Sequence, residues 1–321
     1  MRAVSHQRKD ECGAALIVVL LLVATLSFIL LSITNIVTKG VRRASSERSR
    51  AELLWRAAAA EEIAAAIIKR ATPNPAPKMA PGEGLFADQI EVPFENGKGS
   101  IIFEDATGCF NVNDLVAESG GAYSANRAGM DNFVRLLEQT GLGSGEANKL
   151  AEVAADFMDS DSTPEGQGAE DGFYTALPTP YRTAGRPIAS ISELRAMDGV
   201  SRDLYRRLRP YLCALEAAGQ PPINVNMVRD EHAPVVFAAL GGATPIEDIR
   251  AAIAGRPPGG YSDAAAVPPA LAVPTFSVTS KYVKARIMLE VGDSAMEETL
   301  LFEADPGKDP KLLARTFGDD L

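Results

Sequence analysis

Two histidines, three cysteines and one tryptophan are all that the 321 residues hold of those types. His6 and His232 stand far apart, and no Cys/His spacing suits zinc. Neither an HExxH helix nor a GxxxxGK phosphate loop is present. The many serines have no general base at an informative spacing, so nucleophilic catalysis has no support. Positive charge is also short: 32 Lys and Arg face 42 Asp and Glu, a net of −10. The body after residue 13 carries −11, because the first 13 residues hold Arg2, Arg8 and Lys9 against Asp10 and Glu11. A body this acidic argues against nucleic acid and against an anionic membrane surface as partners. The chain reads as a non-enzyme.

One uncharged run is present, from Ala14 to Val37, 24 residues of mostly Leu, Ile, Val and Ala. A bilayer core of ~30 Å needs about 20 apolar residues in helix, so this run spans it. The basic leader ahead of it favours a cytoplasmic N-terminus with the body outside the inner membrane. A cleaved secretory signal has an apolar core of about 7–15 residues followed by a small-residue cut site. Here the run is longer, the small residue Gly13 precedes it, and Cys12 precedes it too, which excludes a lipoprotein. On this segment alone a plain membrane anchor is the alternative.

Residues 14 to about 71 read as one helix ending before the Pro-rich Thr72–Pro77. Beyond the span, Ala51, Leu54, Trp55, Ala58, Ile63, Ala66 and Ile67 return near helical spacing and predict the face that packs on a sheet. Gln89 to Phe94 and Ser100 to Glu104 flank an Asn-Gly turn and predict a β-hairpin, its second strand reaching Cys109-Phe110. Phe110-Asn-Val-Asn is echoed at Ile223-Asn-Val-Asn. Three helix–turn–helix segments follow, with Gly-containing turns at Gly141, Gly199 and Gly241-Gly242. This is the helix-hairpin-helix, or SAM-like, pattern. Elsewhere it holds phosphate through backbone N–H groups. Asn111 to Leu212, however, holds 10 Lys and Arg against 15 Asp and Glu, the wrong sign for DNA. Strands are expected again at Phe276–Ser280, Tyr282–Val291 and Glu297–Phe302.

The leader resembles the class III leader of type IV pilins and type II secretion pseudopilins. That resemblance implies cleavage by a prepilin peptidase after Gly13 and methylation of the new N-terminal Ala14. The family usually carries Glu at the fifth mature position, where this chain has Val18. Its absence resembles the K-type minor pseudopilins, the GspK family, as do the phrases FNVNDL, DFMDSD, GAEDGFY, SISELRAMDGV, LRPYLCAL and INVN.

The expected fold is α+β: a pilin-like spine helix on an antiparallel sheet, with a large helical domain inserted. The expected boundaries are leader 1–13, transmembrane and spine helix 14–72, sheet 85–110 and 273–303, helical insert 111–253, loop 254–272 and flexible tail 304–321. The resemblance implies assembly with I- and J-type minor pseudopilins at a pseudopilus tip, and contact with exported substrate and the secretin. A minor pilin of a type IV pilus, or a membrane-anchored DNA receptor, are the rival functions.

Two sites are expected. Cys109 and Cys213 form an even pair in an oxidising compartment and predict a disulfide, two free thiols being the alternative. Asp159, Asp161, Thr163, Glu165 and Glu170 fall at positions 1, 3, 5, 7 and 12 of an EF-hand-like count, with Asp171 beside them. Hard oxygens at alternate positions suit Ca2+, and the resembled family is associated with calcium. Pro164 stands where that loop needs its turn Gly, so the segment is not an EF-hand.

Overall fold

A computed structural model describes the backbone of residues 8–95, 97–216 and 219–318, with side chains from Ala15 onward. Leader residues 1–7 lie outside it. The chain opens on α1, Arg8–Ala71, 64 residues and roughly 96 Å long. It is the one helix among the described residues long and apolar enough to cross a membrane. Thr72 closes it, donating through both N and Oγ1 to the Ile68 carbonyl.

The buried face of α1 is offset from the expected one, which meets the core only at Ile67. Leu53, Ala57, Ala60, Ala64 and Ile68 face the core, whereas Leu54 is 46% and Trp55 80% exposed. The buried stripe is mostly alanine, so hydrophobic periodicity points to the larger side chains on the other side. Small side chains let the helix axis approach the sheet closely, and Leu53 and Ile68 contribute about 1.5–3 kcal/mol each by burial.

Strand β1, Ile90–Phe94, turns within two residues into β2, Gly97–Asp105, with Phe94 paired to Gly97. Of the predicted turn pair, Asn96 lies outside the described residues. β2 starts earlier than Ser100 because Gly99 leaves room for its neighbours: a Cβ there would sit 2.8 Å from Leu289 Cδ2 and 3.1 Å from Phe94 Cε1. It also stops earlier than expected. The Asp105 carboxylate accepts from Thr107 N and Gly108 N, which turns the chain out of the sheet before Cys109.

The insert begins with β3, Phe110–Asn111, and the hairpin β4, Val116–Ser119, with β5, Ala122–Ala125. Helices α2, Arg127–Gln139, and α3, Ser144–Met158, form the first helix–turn–helix. A short helix α4, Asp171–Thr175, follows. In the second, the first limb is a 3-10 turn, Ile191–Ala196, capped by Ser190 and Glu193, before α5, Arg202–Leu208. Strand β6, Leu212–Cys213, returns to pair in parallel with β3. After β7, Ile223–Asn224, the third helix pair is α6, Ala233–Ala239, and α7, Ile246–Ala254. These elements share one core, within which the rings of Phe110 and Phe133 stack at 5.3 Å.

Two expected boundaries move. The stretch expected as a loop at 254–272 carries Tyr261, Val267 and Leu271 into the insert core. β8, Phe276–Ser277, pairs with β7 instead of joining the sheet. The sheet resumes only at β9, Tyr282–Val291, followed by β10, Ser294–Glu303. The tail is also corrected. Lys311–Phe317 is a fifth strand, β11, antiparallel to β10, and its Arg315 bridges Glu298 on β10 and Glu61 on α1.

The sheet order is β1-β2-β9-β10-β11 with every neighbour antiparallel. Ile101, Phe103, Ala285, Ile287, Leu289, Leu300 and Phe302 join the buried face of α1 in a second core. Position along the sheet follows from pairing. Asp105 pairs with Val283, and Thr72 accepts from Gly307 N, so the insert and the C-terminal end of α1 share one end of the sheet. Ser46 and Arg50 line a groove with Met296 and Phe317 at the opposite end. The insert therefore stands at the end remote from the apolar span.

Candidate metal centre

Asp156 and Asp159 lie three apart at the C-terminal end of α3, so both carboxylates leave the same side of the helix. The helix dipole is negative there, which favours a cation. The loop after Asp159 folds back: Thr163 N donates to Asp161 Oδ1 at 2.7 Å, and Glu165 N donates to Asp156 Oδ1 at 3.0 Å. Gly168 passes directly against the Asp156 carboxylate, where any Cβ would collide with it. This brings in Glu170, the residue before α4.

Asp156, Asp159 and Glu170 are all buried, and each offers an oxygen within 4.8 Å of the others. One oxygen of each, Asp156 Oδ2, Asp159 Oδ1 and Glu170 Oε1, has no hydrogen-bond partner. Burial, reinforced by the neighbouring carboxylates, pushes Asp156 up to about 6 and Asp159 and Glu170 up to about 7. Orphaned buried acceptors are costly unless something positive satisfies them. Three convergent hard oxygens fit a divalent cation such as Ca2+, whose remaining ligands would come from carbonyls and water.

The structure brings two of the five expected carboxylates together. Asp159 and Glu170 are in the cluster. Asp161 is exposed and caps Thr163, and Glu165 pairs with Arg127. Asp171 is held outside by Thr183 and Arg182, whose hydrogen bonds lower its pKa. Asp156, outside the expected set, completes the buried cluster. Its signal was its i, i+3 relation to Asp159 at a helix end, which a loop-based ligand count passes over.

Cys109 and Cys213 are joined, with S–S 2.03 Å and Cα–Cα 5.8 Å. Cys109 precedes β3 and Cys213 ends β6, so the bond staples the entry of the insert to the end of its second helix–turn–helix. Gly13 and Ala14 lie in the continuous helical backbone of α1, their surroundings outside the described side chains.

Residues 108–217 match the family model described as Type II secretion system (T2SS), protein K. The chain is 30% identical to the type II secretion system protein K of Pectobacterium carotovorum subsp. carotovorum, over 97% of this chain and 98% of the relative. It is 28% identical to the Aeromonas hydrophila protein of the same name, over 95% and 96%. Its fold matches a chain in the crystal structure of the GspK-GspI-GspJ complex from enterotoxigenic Escherichia coli, with TM-score 0.74, 24% identity and coverage of 87% of this chain and 100% of that one. By its near full-length likeness to these relatives, this chain belongs to the type II secretion system protein K family, a structural component of the secretion machinery.

Proposed function

We propose that this protein stands at the tip of a type II secretion pseudopilus, in an assembly with I- and J-type minor pseudopilins, and acts as a structural part with no catalytic role. The observation that carries this is the two-sided spine. One side of α1 is covered by its own sheet. The other leaves Leu54, Trp55 and Ile63 exposed beyond the membrane span. An uncovered apolar side with a central Trp is the composition of a helix-packing interface. The insert at the end remote from the span gives the tip position a physical reason, since it occupies the space a further subunit would need. The solved relative assembles with GspI and GspJ, which supports the same partners here.

Processing follows from the same reading. A prepilin peptidase cuts after Gly13 and Ala14 is methylated, leaving α1 in the inner membrane with the body in the periplasm. The three helix–turn–helix units serve as helix-hairpin-helix packing devices, and Asp156, Asp159 and Glu170 hold a calcium ion that fixes the loop between α3 and α4. An oxidising periplasm suits the Cys109–Cys213 bond.

Co-expression of the full chain with I- and J-type partners, extraction in mild detergent and affinity capture test the assembly. The three proteins should elute together. Trp55→Ala, at an exposed position, should lower partner recovery at least tenfold while the body unfolds at the wild-type temperature. Unchanged recovery would remove the spine interface from the account.

A further inference from the structure

The stripe of α1 that packs on the sheet continues toward the membrane in steps of three and four. Upstream of Leu53 it reads Arg50, Ser46, Arg43 with Arg42, and Lys39. Ser46, Arg50 and Leu53 line one groove, so the phase is continuous across the point where the sheet ends. The chemistry of the stripe changes there from apolar to cationic. Lys39, Arg42 and Arg43 are exposed and, among the described residues, have no ion pair. They lie under the body, on the side of α1 away from Trp55. Partners packing around Trp55 would leave them open.

Their height places them at lipid. A 24-residue run centred on a ~30 Å core leaves Lys39 roughly 20 Å from the midplane, within the headgroup layer. Arg42 and Arg43 stand about one turn higher, with side chains long enough to bend back. Five cations follow the span by residue 50, against three ahead of it. The net charge of the chain hides this patch, because −10 is a sum over 321 residues while headgroup attraction acts within about 10 Å.

We propose that Lys39, Arg42 and Arg43 form a clamp for anionic phospholipid headgroups on the leaflet facing the body. Phosphate oxygens accept from one ammonium and two guanidinium groups, and the clamp fixes the height and rotation of α1 before any partner docks.

The test uses the full-length chain in nonionic detergent micelles containing equal phosphatidylglycerol and phosphatidylcholine, with retained lipid read by native mass spectrometry. Retention should favour phosphatidylglycerol about tenfold, below the ceiling set by roughly fivefold per cation. The preference should vanish at about 0.5 M salt, where screening shortens to roughly 4 Å. It should vanish in K39Q/R42Q/R43Q and persist in R48Q/K69Q. Equal retention of both lipids by the wild type, or an unchanged preference in the triple variant, would overturn the clamp. The three side chains stand clear of the body, and the salt arm decides on wild-type protein should the variant not be recovered. Partner capture is a separate readout, so failure here leaves the assembly reading intact.

Discussion

Asn113 holds Ile188 by both backbone groups: its Oδ1 accepts from Ile188 N and its Nδ2 donates to Ile188 O, each at 2.9 Å. Asn226 does the same to Tyr261, at 2.7 Å and 3.1 Å. In both repeats the earlier asparagine, Asn111 or Asn224, ends a short parallel strand and accepts from the N–H two residues on. The repeated Asn-Val-Asn is thus one device used twice. Each copy ties a strand end to a distant loop through a fully buried amide.

Asn113→Ala leaves a buried N–H and a buried carbonyl unpaired. At about 1–3 kcal/mol per orphaned group, it should destabilise the insert by about 2–4 kcal/mol in a urea titration. Asn226→Ala should behave alike. Asn113→Asp cannot donate to Ile188 O and brings in a charge, so it should not rescue.

Calcium should raise the melting temperature, and EDTA should lower it. D156N and D159N should abolish the difference. Asp161→Ala and D171N should keep most of it, because those carboxylates are engaged outside the cluster. A calcium response that survives D156N but is lost in Asp161→Ala would restore the loop-based ligand set.

Stripped of metal, the cluster predicts a pH dependence. Asp156, Asp159 and Glu170 have folded values raised to about 6 to 7, above those of the unfolded chain. The folded state binds more protons, so their contribution is full below about pH 4 and is lost as pH rises through 6 to 7. Without metal the protein should melt lower at pH 8 than at pH 5.5. Saturating calcium should flatten or invert that slope.

Cys109 and Cys213 are 104 residues apart, and closing a loop of this length removes about 4–5 kcal/mol of unfolded-state freedom in the chain-entropy account. Cys109→Ser with Cys213→Ser should lower the stability of the insert by a few kcal/mol. Non-reducing mass spectrometry of the wild type should show a mass 2 Da below the reduced form, the two hydrogens lost on forming one bond.

Ending the chain at Pro310 removes β11, the Arg315 bridge and the cover over one edge of β10. An uncovered β10 edge invites pairing with other chains. That variant should aggregate or melt well below the wild type, whereas ending it at Gly318 should be silent.

Residue order alone was enough for the membrane span, the spine and its proline stop, the β1–β2 hairpin and the helix–turn–helix series. Each is written in local chemistry: uninterrupted apolarity, a missing N–H, a two-residue turn, glycine between periodic segments. The family was legible for the same reason, since its phrases are contiguous. The burial phase of α1 was not, because an alanine stripe carries little periodic signal beside Leu54 and Trp55, and only the sheet decides which side it covers. β11 was missed because its partner lies across a connection rich in Pro and Gly, and a polar-alternating edge strand gains its structure from pairing. Asp156 meets the other two carboxylates only once the chain has folded Gly168 and Glu170 back onto the end of α3. Local steric and solvation rules act over a few residues and can be read in order. The side a helix buries, the strand that closes a sheet and the oxygens that converge on an ion are set by contacts between segments far apart in the chain.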